Sequence, residues 1–315
     1  MKRTGAITVD TDTLTILANA YNLRTEKDNN TTYSKIIPRF LDRFKEYDIR
    51  ATFFIIGKYA KMRRNHAIIR RIITEGHEIA NHTMNHPPNF SGLPDEQKEK
   101  EITDMQKIIK EISGYDVRGF RAPEWDIDRK AMDMLEQSGY LYDSSVFPTW
   151  FRYAMKIAVI VMSRGRRMEF SAGEARFIFS PAGPYYPAPH NIASDDKKAV
   201  RNIIELPVTV SPWLRLPFFG TSIMAFGSGY FRMIYPFVRA SKNPLIYELH
   251  TVELFDEKHD PAEQAVFKTG HPVLKAPFAE RLRIFRKSME SFLDDYNLVT
   301  MRELALKYNK AGSGF

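Results

Sequence analysis

A chain of 315 residues with 43% hydrophobic and 27% charged side chains can bury a large core, which excludes a disordered, collagen-like or coiled-coil polymer. Lys and Arg total 46 against 38 Asp and Glu, and the resulting +8 is compatible with nucleic acid, an anionic membrane or an acidic substrate. Cysteine is absent, so disulfides, thiolate metal sites and a cysteine nucleophile are excluded.

The start of the chain is basic, but Asp10 and Asp12 interrupt it before any apolar stretch builds up, so no secretory signal is expected. Gly5–Asp10 and Arg50–Ile56 read as buried strands, with helical spacing over Tyr33–Tyr47 between them. A basic helix over Tyr59–Thr74 is stopped by Gly76. A short strand at His77–Ala80 follows, then a helix from Asp95 to Ile112. The next elements are a strand at Val117–Phe120, a helix at Asp128–Ser138 and a strand starting at Gly139–Tyr142. Thr149–Gly229 breaks the rhythm with Pro, Gly and aromatics, and is expected to supply barrel strands with long insertions over one face. Leu245–His250 reads as a strand, Ala279–Tyr296 as a helix, Leu298–Thr300 as a strand and Arg302–Tyr308 as a closing helix. Strands alternating with helices over the whole length predict an α/β fold with a parallel sheet, and a barrel better than an open sheet. One domain is expected over 1–310, with insertions around 149–240 and a flexible tail at 311–315. The longest apolar run, Tyr153–Met162, contains Lys156 and is far short of the roughly 20 residues of a membrane span. The expected location is cytoplasmic, with membrane association left open.

Asp10 and Asp12 end the first strand two residues apart, so alternation points both the same way. They suit an acid/base and ligand pair, or else a turn or helix cap. His82 and His86 lie four apart, which on a helical turn places two imidazoles on one face, able to chelate one metal ion. With Asp12 they give two nitrogens and one oxygen, the ligand set of a catalytic rather than a closed zinc-type site. His77 reads as a packed, hydrogen-bonded residue. Arg121-Ala122-Pro123-Glu124-Trp125 and Leu249-His250 end two further strands and supply candidates for the remaining roles.

Five ordered blocks carry a resemblance to a known family. They are Thr8–Asp12, Gly76–His86, Phe120–Trp125, Tyr142–Ser145 and Leu249-His250. In these the chain resembles the polysaccharide deacetylases of the NodB-homology type, carbohydrate esterase family 4. The resemblance implies a distorted (β/α) barrel of seven or eight parallel strands. It also implies hydrolysis of an N-acyl, foremost N-acetyl, amide of an amino sugar by metal-activated water. By the same resemblance Asp10 matches the base, Asp12, His82 and His86 the metal triad, and Arg121 the residue that orients the base. His250 matches the acid that protonates the leaving amine. The backbone N–H of Glu124 falls where the family completes its oxyanion hole, beside Trp125 in the same block, and Asp143 is expected to orient His250 or Arg121. The cofactor implied is a divalent metal, zinc foremost, with cobalt, nickel or manganese as alternatives. Thr11 between the two carboxylates departs from the commoner Asp-Asp and resembles divergent branches. The runs Gly139–Pro148, Glu205–Thr209 and Gly227–Arg232 are similar to deacetylases of bacterial exopolysaccharide systems.

The substrate is therefore expected to be an N-acylated glycan or its precursor. The alternatives are an undecaprenyl-linked amino sugar, deformylated or deacetylated at the membrane, and a non-catalytic carbohydrate- or lipid-binding barrel. Phe151–Met168 carries Arg152, Lys156, Arg164, Arg166 and Arg167 with no acid, which suits a peripheral membrane contact or a buried helix with solvated ends. No nucleic-acid module is recognised, and nucleic acid is not expected as a partner.

Overall fold

Seven parallel strands curl around a common interior in the computed structural model, which describes residues 2–21, 23, 30–154, 174–196, 201–260 and 264–308. They are β1 (Arg3–Asp10), β2 (Thr52–Ile55), β3 (Glu78–Asn81), β4 (Gly119–Phe120), β5 (Tyr142–Asp143), β8 (Ile204–Glu205) and β9 (Leu245–His250). A hairpin, β6 (Pro187–Ala188) and β7 (Asn191–Asp195), stands apart between β5 and β8. The order around the curl is β9-β1-β2-β3-β4-β5-β8, every pairing parallel. β10 (Tyr296–Leu298) pairs with the first residues of β1, Arg3–Gly5, making an eighth parallel strand. The seam is bridged just past β8, where Thr209 N–H donates to Ile246 O at 3.1 Å and Ile246 N–H donates to Thr209 Oγ1 at 2.8 Å. The fold is thus the parallel α/β curl that the alternation predicts.

Period-2 alternation sorts the strand residues into two layers. Ile7, Val9, Phe53, Ile55 and Ile79 point outward into the main core beneath the helices. Ala6, Phe54, Ala80, Tyr142 and Ile246 point inward, where the helix Met301–Tyr308 contributes Met301, Leu304 and Ala305 as an apolar plug. Both faces of the central strands are covered, so β2 and β3 are buried at every residue. Crossover helices occupy Ile37–Glu46, His66–Thr74, Asp95–Ser113, Arg129–Gln137, Gly220–Ala240 and Phe278–Asp295.

Two elements differ from expectation. The helix expected over Tyr59–Thr74 is broken into Gly57–Ala60, a turn at Arg63–Asn65 and His66–Thr74, because the Asn65 side chain donates to Tyr59 O at 2.8 Å. The helix Gly220–Ala240 begins inside Thr149–Gly229, where barrel strands with long insertions are expected. Its break at Gly227 (φ 81°, ψ 178°) is the turn that the glycines signal. The tail 311–315 lies outside the described residues.

Candidate active site

The inward-facing residues at the C-terminal ends of the strands converge on one mouth, the usual place for chemistry in parallel α/β barrels. Asp10 is the last residue of β1 and Asp12 lies two beyond it. Between them Thr11 turns away, its hydroxyl donating to Phe54 O at 2.9 Å. Asp12 Oδ1 lies 3.3 Å from His82 Nε2 and 3.1 Å from His86 Nε2. Burial alone would raise the Asp12 carboxyl, yet His86 and His82 hold it well below the usual carboxylate range, so it is anionic.

The two histidines do not reach this point on a helical turn. Residues 82–86 form a loop with Thr83 (φ 64°) and His86 (φ 57°) both left-handed, and His86 N–H donates to Thr83 Oγ1 at 3.0 Å. Gly57 and Lys58 N–H hold the loop carbonyls of Thr83 and Met84 at 3.0 and 2.7 Å. A Cβ on Gly57 would fall 2.5 Å from Met84 Sδ, so glycine permits this approach. Glu101 accepts from both the backbone and side-chain nitrogens of Asn85 at 2.7 Å.

His82 Nδ1–H donates to Arg121 O at 2.8 Å, which leaves Nε2 as the ligand atom. Asp12 Oδ1 and His86 Nε2 are buried without a hydrogen-bond partner. With His82 Nε2 they make three donor atoms within 4.8 Å of one another, one of them anionic, which fit a divalent cation.

Arg121 is fully buried just past the end of β4 and joins Asp10 to the barrel interior. It donates to Asp10 Oδ1 at 2.6 Å and Thr8 Oγ1 at 3.0 Å, its far edge bonds Ser144, and it lies over the Phe54 ring at 4.1 Å. It also sits 3.4 Å from Glu248, a fully buried carboxylate that sequence reasoning missed. Glu248 accepts from Trp125 Nε1 at 3.0 Å and stands 3.3 Å from His250 Nε2. Burial pushes Glu248 up to about 7 against the pull of Arg121. The available signal was its place in LIYELH, two residues before His250 and therefore on the same inward face.

His250 lies between two carboxylates, Glu248 toward Nε2 and Glu253 3.7 Å from Nδ1, with Thr221 Oγ1 3.2 Å from the same nitrogen. Burial favours the neutral ring, but Glu253, Glu248 and Asp10 outweigh it and raise His250 to about 10. Asp143, expected to orient His250 or Arg121, instead accepts from Ser145 Oγ at 2.6 Å and Ser145 N–H at 3.2 Å. Ser144 takes the place expected for it beside Arg121, because β5 ends at Asp143 and the next residue turns toward the guanidinium.

Glu124 (φ 54°) and Trp125 (φ 52°) are consecutive left-handed residues, a costly conformation without glycine. Arg152 grips this turn, donating to Glu124 O at 2.6 Å and lying 5.2 Å over the Trp125 ring. Trp125 packs with Phe147, Phe219 and His250. Arg152 is therefore not part of an exposed basic stretch: it is buried, and burial lowers it to about 10. Lys156, Arg164, Arg166 and Arg167 lie outside the described residues. His77 is packed on Phe44 and Phe53 and accepts from Ala51 N–H at 3.0 Å, as expected.

Comparison with known proteins places this mouth in context. Residues 27–142 match the polysaccharide deacetylase family model. A peptidoglycan-N-acetylglucosamine deacetylase of Bacillus cereus is 34% identical over 90 residues, covering 29% of this chain and 32% of that protein. A chitooligosaccharide deacetylase of Sinorhizobium fredii is 40% identical over 87 residues, covering 27% and 39%. The chain thus spans about a third of the length of these two curated relatives. Among solved structures, one from Mycobacterium smegmatis described as a polysaccharide deacetylase superimposes with a TM-score of 0.61 at 20% identity, over 99% of this chain and 92% of that one. Another from Pseudomonas aeruginosa, described likewise, gives 0.57 at 14% identity over 96% and 89%. The fold is shared nearly end to end with these two structures, and residues 27–142 are similar in sequence to the polysaccharide deacetylase family.

Proposed function

We propose that this protein hydrolyses an N-acyl amide, foremost N-acetyl, on an amino sugar of a glycan or glycan precursor. The observation that carries the reading is the convergence of Asp12, His82 and His86 beside Asp10, with His250 across the same mouth. The deacetylase names of the matched relatives support the same class of substrate. Bound by Asp12, His82 and His86, a divalent ion, zinc foremost, supplies Lewis acidity toward the amide carbonyl and a water of lowered pKa.

The chain's own residues supply the proton transfers. Asp10, held by Arg121 at 2.6 Å, takes a proton from the attacking water. The turn at Glu124, its carbonyl gripped by Arg152, offers a backbone N–H to the oxyanion. His250, kept protonated by its carboxylate neighbours, gives its proton to the departing nitrogen as the C–N bond breaks. The products are the free amine and the carboxylic acid. Trp125, half-buried and backed by the buried Phe147 and Phe219, offers a ring on which a sugar face can stack.

The test is release of acetate and appearance of free amine, followed by mass spectrometry on N-acetyl chitooligosaccharide and peptidoglycan fragments with zinc supplied. Asp12→Ala and His82→Ala should each abolish it, and undiminished hydrolysis by either variant would refute the reading. A barrel that binds carbohydrate or lipid without catalysis would retain ligand and release no acetate. The lipid-linked amino sugar is a second reading, favoured by the exposed apolar surface beside the mouth.

A further inference from the structure

We infer that the rim of the catalytic mouth is a docking face for an anionic lipid bilayer, built from the Ser211–Leu216 loop and the outer side of the helix Gly220–Ala240. Large apolar side chains stand in solvent there: Trp213 at 87% exposure, Leu214 at 67%, and Phe226, Met233 and Phe237 at half or more. Met233 and Phe237 stand at i and i+4 on the helical part after the break at Gly227, facing outward rather than toward the core, and Phe226 is exposed just before the break.

The projecting loop is built rather than slack. Ser211 N–H donates to Leu216 O at 2.8 Å, and Val210 pairs with Pro217 at its base. Trp213 (φ 58°) and Arg215 (φ 50°) are both left-handed, so two non-glycine residues are held in a disfavoured conformation to present Trp213 and Leu214 outward. Arg215 braces the loop by donating to Ser180 O at 2.7 Å, next to Phe179, itself 82% exposed. The Trp150 indole donates to Leu214 O at 2.8 Å, and Phe151 touches Phe226 with ring centroids 5.8 Å apart. Between loop and helix lies an open apolar groove of about 490 Å³, lined by Phe151, Leu216, Phe226, Gly229, Tyr230 and Met233.

Charge selects the occupant. No Asp or Glu occurs from residue 206 to 247, while Arg215, Arg232, Arg239 and Lys242 all fall there. Arg232 and Lys242 are exposed, and Arg239 is shared with Asp295 at 3.7 Å. Aromatic and aliphatic side chains on projections, carried by a stretch with cations and no acid of its own, match a surface of acyl chains under anionic headgroups. No helix among the described residues is long and apolar enough to cross a membrane. Phe151 precedes Arg152, which lies on Trp125 at the mouth, so a docked protein turns its site toward the headgroup layer. Docking is independent of the catalytic reading. Only the step to a lipid-linked amino-sugar substrate rests on it.

The test is flotation of the full-length protein with vesicles of phosphatidylcholine alone and with about one-third phosphatidylglycerol. Binding to the anionic vesicles is expected, weakened by salt and by Arg232→Glu. The doubly substituted Trp213→Ser, Leu214→Ser variant should bind about tenfold or more weakly, with an unchanged thermal melt and unchanged hydrolysis of soluble chitooligosaccharide. Asp12→Ala should float like the wild type, so a failed catalytic reading would leave docking intact. Equal binding by wild type and the double variant would overturn the proposal. So would no binding to anionic vesicles, or a dimer that the double variant dissolves in a protein that ignores vesicles.

Discussion

Glu253 and Glu248 flank the imidazole of His250, and together they set the pH range over which it can act as an acid. With His250 raised to about 10, the proton it would give to a leaving amine in the proposed reaction is retained through neutral pH and lost as pH rises through that value. The alkaline limb of kcat/KM should therefore lie near 10. Glu253→Gln should move it down by about one pH unit or more, and Glu248→Gln should do the same from the other ring nitrogen. An alkaline limb that neither substitution moves would remove His250 from the acid role. At Arg121, substitution by Lys keeps the charge but loses the fork that reaches Asp10, Thr8 and Ser144 together, so kcat should fall by about a hundredfold with little change in bound zinc. Most of these residues were legible because their types recur in recognisable blocks. Glu248 was not, since a lone Glu in an apolar strand carries no motif and its partners come from β4, β9 and the turn at Trp125. Asp143 illustrates the converse: its block marks the right place, yet the side chain is used by its own loop.

Elements place these residues through close approaches, and the His82–His86 loop depends on one at Gly57. Gly57→Ala puts a methyl 2.5 Å from Met84 Sδ and 3.1 Å from Met84 Cα, so the loop has to shift. Zinc affinity measured by calorimetry should fall by about ten- to a hundredfold, the usual cost of disturbing a ligand's support, while the melting profile keeps its single transition. β1 to β5 and most crossover helices were readable from period, and β9 was expected with the boundaries it has. By contrast, β10 runs Tyr296–Leu298 instead of the expected Leu298–Thr300, and β6 to β8 had no expected bounds within Thr149–Gly229. Gly220–Ala240 was hidden for a physical reason. Gly227, Gly229 and Pro236 lower its helical propensity, and its outward apolar side chains erase the contrast between faces that marks an amphipathic helix. The approach of His82 to His86 was expected, but through a helical turn; two left-handed residues do it instead, and non-glycine left-handed positions leave no trace in spacing.

Across the whole molecule the barrel interior is polar at a second level, well below the mouth. Glu78 on β3 is buried and accepts from Thr52 Oγ1, Tyr142 OH and Arg302 N–H, and burial pushes it up to about 7. A carboxyl raised from 4.5 in this way lends its stability fully below 4.5 and loses it as pH rises through about 7. Urea unfolding of the wild type and Glu78→Gln should therefore diverge with pH, the variant gaining of order 1–3 kcal/mol relative to wild type between those limits. Parallel difference curves would mean that Glu78 does not titrate there. The pairing of β1 has a consequence of another kind. Its end residue Asp10 is matched to His250 across 240 positions of chain, and its start is matched to β10. Asp12, His82 and His86 lie between β1 and the loop after β3, whereas His250 joins them only when β9 pairs with β1, and β10 then steadies the start of that strand. Closing these long-range pairings is expected to slow refolding, so the two sides of the mouth meet only when the curl is complete.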